Sequence, residues 1–252
     1  MARQVTSVTK QGKHEPFELQ VSEGQIAFHE VRNIFGWQEN VTTNFIPLWE
    51  NVSVYSYPAS ALPMTVTSAS ALDDGGTVLI KGLDINYDQI SEVVVANNAV
   101  PPVTTKGFYR INDVIFTKST GINAGDITIS NGGTEYAKIL AGVGRNQASI
   151  FTVPRGYCFY LYRIDAFSND GTSSKPGLFR NFVQNSNGSQ YVVARTTFEN
   201  NMNIQRRFPF KYNEKSDIQF QLRTFSGTHE MNVFGEGALI LQGYTLDVKN
   251  GN

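Results

Sequence analysis

The sequence predicts an all-β protein: two antiparallel, jelly-roll-like β-sandwich domains with very little helix. Three observations carry this. Charged residues make up only 17% of the 252-residue chain and aromatics 12%, and Thr, Val, Ile, Phe and Tyr stand where a helical protein would place Glu, Lys, Ala and Leu. Short alternating runs recur along the chain, separated by Gly, Asn, Asp and Pro clusters. No useful window repeats apolar residues at i, i+3, i+4 and i+7 between helix caps.

In chain order, the alternating runs cover 25–35, 49–57, 64–68, 77–81, 89–96, 108–118, 126–130 and 134–140. The breaks between them include Asp73-Asp74-Gly75-Gly76, Asn97-Asn98, Pro101-Pro102 and Asn131-Gly132-Gly133. The best helical window, 84–95, is rich in β-branched residues and reads as a turn followed by a strand. Longer runs follow at 148–153, 157–167, 178–184, 190–198, 203–210, 218–224 and 231–241. Asn187-Gly188 lies between two of these runs and supplies the positive φ of a tight reversal, so "FRNFVQNSNGSQYVVARTTF", 179–198, reads as a hairpin.

The segment "AGVGRNQ" at 141–147 joins two runs and is the candidate domain boundary. The expected organisation is an extended N-terminal arm over 1–17, an N-terminal β domain over 18–143 and a C-terminal β-sandwich over 144–252. The stretch "FTVPRGYCFYLYRIDAF", 151–167, has apolar residues at both odd and even positions. A strand of that kind is expected to be covered on both faces, the second cover being another sheet, a domain or a neighbouring subunit.

The chemistry-bearing residues are sparse. With 21 basic and 22 acidic residues, the net charge of −1 provides no bulk field to recruit nucleic acid or anionic lipid. No apolar run reaches the ~18 residues of a membrane span, and "MARQVTSVTKQGK" lacks the apolar core of a secretory signal. The acceptor-like triplets at Asn40, Asn51 and Asn187 are therefore read as ordinary polar positions. His14, His29 and His229 are isolated, and Cys158 is the only cysteine, so no local metal motif exists and no internal disulfide forms. An apolar strand raises a thiol pKa, and Cys158 reads as a small core residue rather than a nucleophile. Gly142-Val143-Gly144 lacks both the Lys and the following helix of a phosphate loop and reads as a linker. Asp73, Asp74, Asp84 and Asp88 match no standard calcium loop and read as turn formers. The run 203–223 interleaves Arg206, Arg207, Lys211 and Lys215 with Phe208, Phe210 and Tyr212; strand, turn and strand account for it.

The aromatic load, 2 Trp, 11 Tyr and 17 Phe, exceeds what small cores need. Tyr and Trp suit surfaces that are half dry and half wet, such as subunit interfaces or sugar sites. Trp37, Trp49, Tyr55, Tyr57, Phe208 and Tyr212 are the candidate interface residues.

Several segments together resemble virion structural proteins of tailed bacteriophages, especially phages of aquatic bacteria. They are "HEPFELQVSEGQIAFHEVRNIFGWQENV", "PLWENVSVYSYP", "VLIKGLDINYDQISEVVV", "YRINDVIFTKSTGINAGDITI", "YAKILAGVGRNQASIFTVPRGYCFYLYRI" and "KYNEKSDIQFQ", and they cover most of the chain. The resemblance implies a non-enzymatic particle component made in the host cytoplasm and located in the virion, with no catalytic residue, cofactor or metal ligand to carry over. The expected role is a capsid decoration or cement protein, a homo-oligomer (a trimer is one form) that docks on major capsid or tail proteins. Nucleic acid and membrane are not expected partners. The alternative is a tail or fibre module that binds a receptor or carbohydrate through its aromatic residues. A hydrolase assembled from scattered carboxylates has least in the sequence to recommend it.

Overall fold

The computed structural model describes residues 16–51, 53–169 and 176–242, and nearly all regular structure in it is β. One short helix, α1 (Phe17–Ser22), leads into β1 (His29–Val41) and β2 (Ile46–Pro47). Then come β3 (Thr65–Ser68), β4 (Thr77–Leu83), β5 (Gln89–Val95), β6 (Arg110–Thr117), β7 (Ile127–Asn131) and β8 (Thr134–Ile139). The chain continues through β9 (Ile150–Thr152), β10 (Tyr157–Asn169), β11 (Pro176–Gln184), β12 (Gln190–Glu199), β13 (Asn201–Tyr212), β14 (Asp217–Thr224) and β15 (His229–Leu241).

Every strand pair is antiparallel. The large sheet runs β1-β15-β10-β13-β12-β11-β14-β2, with β9 also on β14. β12 and β13 pair only at Glu199 and Asn201, so the sheet folds over at that point. Its halves, β1-β15-β10-β13 and β12-β11-β14-β2, share one core in which Phe159, Leu161, Ile164 and Val233 meet Phe179, Val183, Phe220 and Leu222. Along the chain, β1 to β2, β10 to β11, β12 to β13, β13 to β14 and β14 to β15 each pass from one half to the other. Four strands facing four with those crossings is a jelly roll.

A second, smaller sandwich packs the sheet β5-β4-β6 against β3-β7-β8. Its core contains Met64, Val78, Ile80, Phe108, Val114, Ile127 and Ile139.

The expected boundaries are corrected by the strand register. β1 pairs along its length with β15, from His29–Ile240 to Val41–His229, and β2 pairs with β14. The 18–143 segment is therefore not one domain, and 144–252 lacks two strands of its own sheet. The small sandwich is an insertion between β2 and β9. Alternation patterns cannot reveal this, because a strand's partner is chosen by contacts far away in sequence. Of the expected arm, residues 1–15 lie outside the described residues, and Phe17 opens α1 rather than continuing an extended segment.

The 84–95 window forms a turn and then β5, and β11 and β12 form the expected hairpin, with Gly188 at φ 81°. The two-faced stretch has a different cause from the one expected. In β10 the register shifts between Leu161 and Arg163 against both neighbours: Tyr162 is the extra residue of a bulge against β15, while on the β13 side residues 206–209 stand opposite it. A bulge reverses the inward parity of a strand. Phe159 and Leu161 before it, and Ile164 and Ala166 after it, consequently enter the same core. Cys158 faces the other way and is buried, its Sγ 3.9 Å from Asn213 Oδ1, and burial pushes its thiol pKa up.

Candidate functional site

Most of the expected interface residues are interior. Trp49 and Tyr55 are buried, with ring centroids 5.2 Å apart, and Tyr55 meets Tyr57 edge-on at 5.1 Å. Together with Ile150 they form a small aromatic cluster where the chain leaves β2 and returns to β9. Tyr212 is buried in the jelly-roll core, stacked on Phe159 and hydrogen-bonded by the Asn181 amide. These are corrections with one cause: large rings near strand ends fill the space between layers before they reach the surface. Phe208 is 78% exposed, and Trp37 is half-buried with its indole N–H donating to Glu230 at 2.8 Å.

Tyr57 belongs to the junction between the two sandwiches, whose centre is Arg110 on β6. Arg110 donates twice to Asp217 on β14, Nε to Oδ1 at 2.8 Å and Nη2 to Oδ2 at 2.9 Å, and both residues are buried. The guanidinium carbon lies 4.0 Å from the Tyr109 ring centre and 4.4 Å from that of Tyr57. Burial opposes the charge, but the Asp217 hydrogen bonds and attraction outweigh it and hold the Arg110 pKa above its ordinary value. The Thr152 hydroxyl also donates to Asp217, and the Asn112 amide donates to the Thr152 carbonyl at 2.9 Å. Desolvation raises the Tyr57 pKa well above that of a free phenol. The junction is thus a dry, charge-paired seam that fixes the insertion on the jelly roll.

Other ionisable groups flagged by the sequence are occupied locally. Asp73 accepts from the Ser68 hydroxyl and the Ala124 and Gly125 amides, and Asp84 accepts from the amides of Asn86 and Asp88. Asp88 pairs with Arg155 at 2.7 Å. Turn formation and ion pairing thus employ these aspartates.

Among the described residues, partly exposed rings gather elsewhere. By alternation and register, the outward face of β1-β15-β10-β13 carries Val31, Phe35 and Trp37 on β1, with Phe234 and Ala238 on β15. On β10 it carries Tyr160 before the bulge and Phe167 after it. Phe35 is 38% exposed, Phe167 47% and the bulge residue Tyr162 37%. Phe35 lies directly opposite Phe234, so two cross-strand rings sit at the centre of this face. A cavity of about 290 Å³ opens beside them, bordered by Arg32, Asn112, Arg145 and Asn146 where the insertion abuts β1. Sequence reasoning missed Phe35 and Phe167 because facing could be assigned only once the bulge and the β1–β15 register were known. The apolar two-sidedness of 151–167 was the signal for Phe167; Phe35 had none.

Fold and surface together define a class: a jelly-roll β-sandwich with an inserted β-sandwich and partly exposed rings on an outer sheet face. No family model and no curated protein matches the chain. Among solved structures, one of the Gt strain of infectious bursal disease virus aligns at 10% identity over 92% of this chain and 79% of that one, with a TM-score of 0.21. A Bacillus thuringiensis Cry1Da tryptic core variant aligns at 11% identity over 82% and 58%, with a TM-score of 0.17. At these scores neither likeness bears on fold or function. Among the described residues no helix is long and apolar enough to cross a membrane.

Proposed function

We propose that this chain is a non-enzymatic virion structural protein: a capsid decoration or cement protein of a tailed bacteriophage that associates with copies of itself and docks on other particle proteins. The observation that supports this reading most is the outward face of β1-β15-β10-β13, which carries the cross-strand pair Phe35–Phe234 and the partly exposed Tyr162 and Phe167. Partly exposed rings interspersed with polar groups such as the Arg163–Asp165 ion pair, on a preformed sheet, suit an assembly interface and cost little ordering entropy on docking. The sequence resemblance to phage structural proteins points the same way.

The test is a Phe35→Ser/Phe167→Ser double variant. Both side chains point away from the core but are about half covered, so the variant is expected to stay cooperatively folded with a modestly lowered unfolding midpoint. It should lose self-association in sedimentation and lose incorporation into particles assembled without the wild-type protein. A wild-type chain that stays monomeric and never enters such particles overturns the reading.

A second reading, a tail or fibre module that binds carbohydrate, draws on Trp37, whose half-exposed ring lies beside the Glu230 carboxylate. Ring and carboxylate together suit a sugar face and its hydroxyls. Glycan binding abolished by Trp37→Ala, with particle assembly intact, would favour it.

A further inference from the structure

The other outer face of the jelly roll carries a different feature. On β11, Arg180 lies directly opposite Arg195 of β12, and Arg223 of β14 is opposite Leu178, one step along the same face. All three guanidiniums gather over the Phe45 ring, their carbons 4.1, 5.7 and 5.2 Å from its centre for Arg180, Arg195 and Arg223. Like charges on opposed strand positions destabilise a sheet. Five ion pairs occur among the described residues, and none includes any of these three.

The cluster is held in place. Arg180 Nε donates to Gln221 Oε1 at 2.6 Å, and Gln221 donates to Gln219, which donates to the Tyr57 hydroxyl at 3.2 Å. Arg223 donates to the Thr43 carbonyl at 3.3 Å, while its Nε is buried with no hydrogen-bond partner. Desolvation, and then the Arg195 charge, lower the Arg180 pKa.

We propose that Arg180, Arg195 and Arg223 form a binding site for a phosphate group on the solvent face of β14-β11-β12, with Phe45 as its floor. Three planar forks suit a tetrahedral dianion, which offers several acceptor oxygens and two charges; a single carboxylate engages one fork and leaves the others repelling. The chain's near-zero net charge conceals the site, because the acidic residues that balance it lie elsewhere.

The test measures saturable binding to the full chain by calorimetry and thermal shift, with potassium phosphate compared against potassium chloride at equal ionic strength. Wild-type protein is expected to bind inorganic phosphate. Arg195→Gln, an exposed and structurally mild change, should weaken binding about tenfold or more, the loss expected for one charge-assisted hydrogen bond. Arg195→Lys should recover only part of it, and Lys81→Gln, which removes a remote surface charge, should change nothing. A short oligothymidylate without terminal phosphate separates the sources. If it binds more tightly than inorganic phosphate, the site takes a nucleic-acid backbone; if it does not, a terminal phosphate. The proposal is overturned if phosphate behaves like chloride, if Arg195→Gln behaves like Lys81→Gln, or if polyglutamate binds as tightly as either phosphate source.

Discussion

Arg110 is where a single side chain has the most to lose. It and Asp217 are both buried, so removing one partner strands the other's charge in a dry seam. Breaking such a pair costs about 3–5 kcal/mol, whereas replacing both partners with apolar residues is often near neutral. Arg110→Met is expected to lower the unfolding free energy by that amount, and Arg110→Met/Asp217→Leu to recover most of it, as read from urea denaturation curves. Glu50 is the opposite case. It is buried where the chain leaves β2, one carboxyl oxygen accepts the Gln147 amide and the other has no partner. Burial, only partly countered by that amide and by Lys138, pushes its pKa up to about 8. The folded state therefore keeps a proton that the unfolded chain gives up near pH ~4.3. Stability from this group is complete below that pH and drains away as pH rises through about 8. At about 1.4 kcal/mol per pH unit the loss is on the order of a few kcal/mol. Glu50→Gln should flatten the melting-temperature profile across this window and leave the variant more stable than wild type at pH 9. An equally steep profile in the variant would exclude Glu50 as its source.

At the scale of elements, β10 shows how one residue sets the facing of a strand. Tyr162 separates two stretches of correct but opposite parity, with Phe159 and Leu161 on one side and Ile164 and Ala166 on the other. Deleting Tyr162 forces one pair of core residues to solvent, and each buried side chain of that size is worth about 1.5–3 kcal/mol. The deletion is expected to yield insoluble or molten protein with near-UV circular dichroism lost, while Tyr162→Ser, which keeps the count, stays folded. The β11–β12 hairpin was legible in the sequence because Asn187-Gly188 is a local instruction for a turn. The bulge was not, since alternation reads equally well on either side of it. The fold of the sheet between β12 and β13 was likewise hidden, because Asn200 carries no signal stronger than that of any other Asn, yet it adopts φ 59° there. Gly36 shows a third kind of silence. A Cβ at this position would lie 2.5 Å from Ser149 Cβ and 2.8 Å from the Leu48 carbonyl oxygen, so glycine is required by the segment that returns from the insertion.

For the molecule as a whole, the first and last strands of the described chain are neighbours, and this governs how it can be divided. A fragment over 144–252 leaves the edge of β15 bare and removes Ile34, Val41 and Leu48 from the core. Expressed alone, it is expected to show no cooperative unfolding and poor amide dispersion. Adding back residues 16–49 through a linker in place of the insertion should restore both. A cooperative 144–252 fragment would contradict the strand register.

Composition and alternation alone determined that the protein is all β, nearly helix-free and built from sandwiches, because strand preference and binary patterning are properties of neighbouring residues. Which rings are buried, which strands meet and where three arginines converge were decided only by tertiary structure. Trp49 and Phe35 belong to equally aromatic stretches, yet one closes a junction and the other faces outward. Arg180, Arg195 and Arg223 stand apart in the chain, and only antiparallel pairing places them over one phenylalanine. The physical reason is that register and layer packing minimise the free energy of the entire chain, and no local window contains the partners that set it.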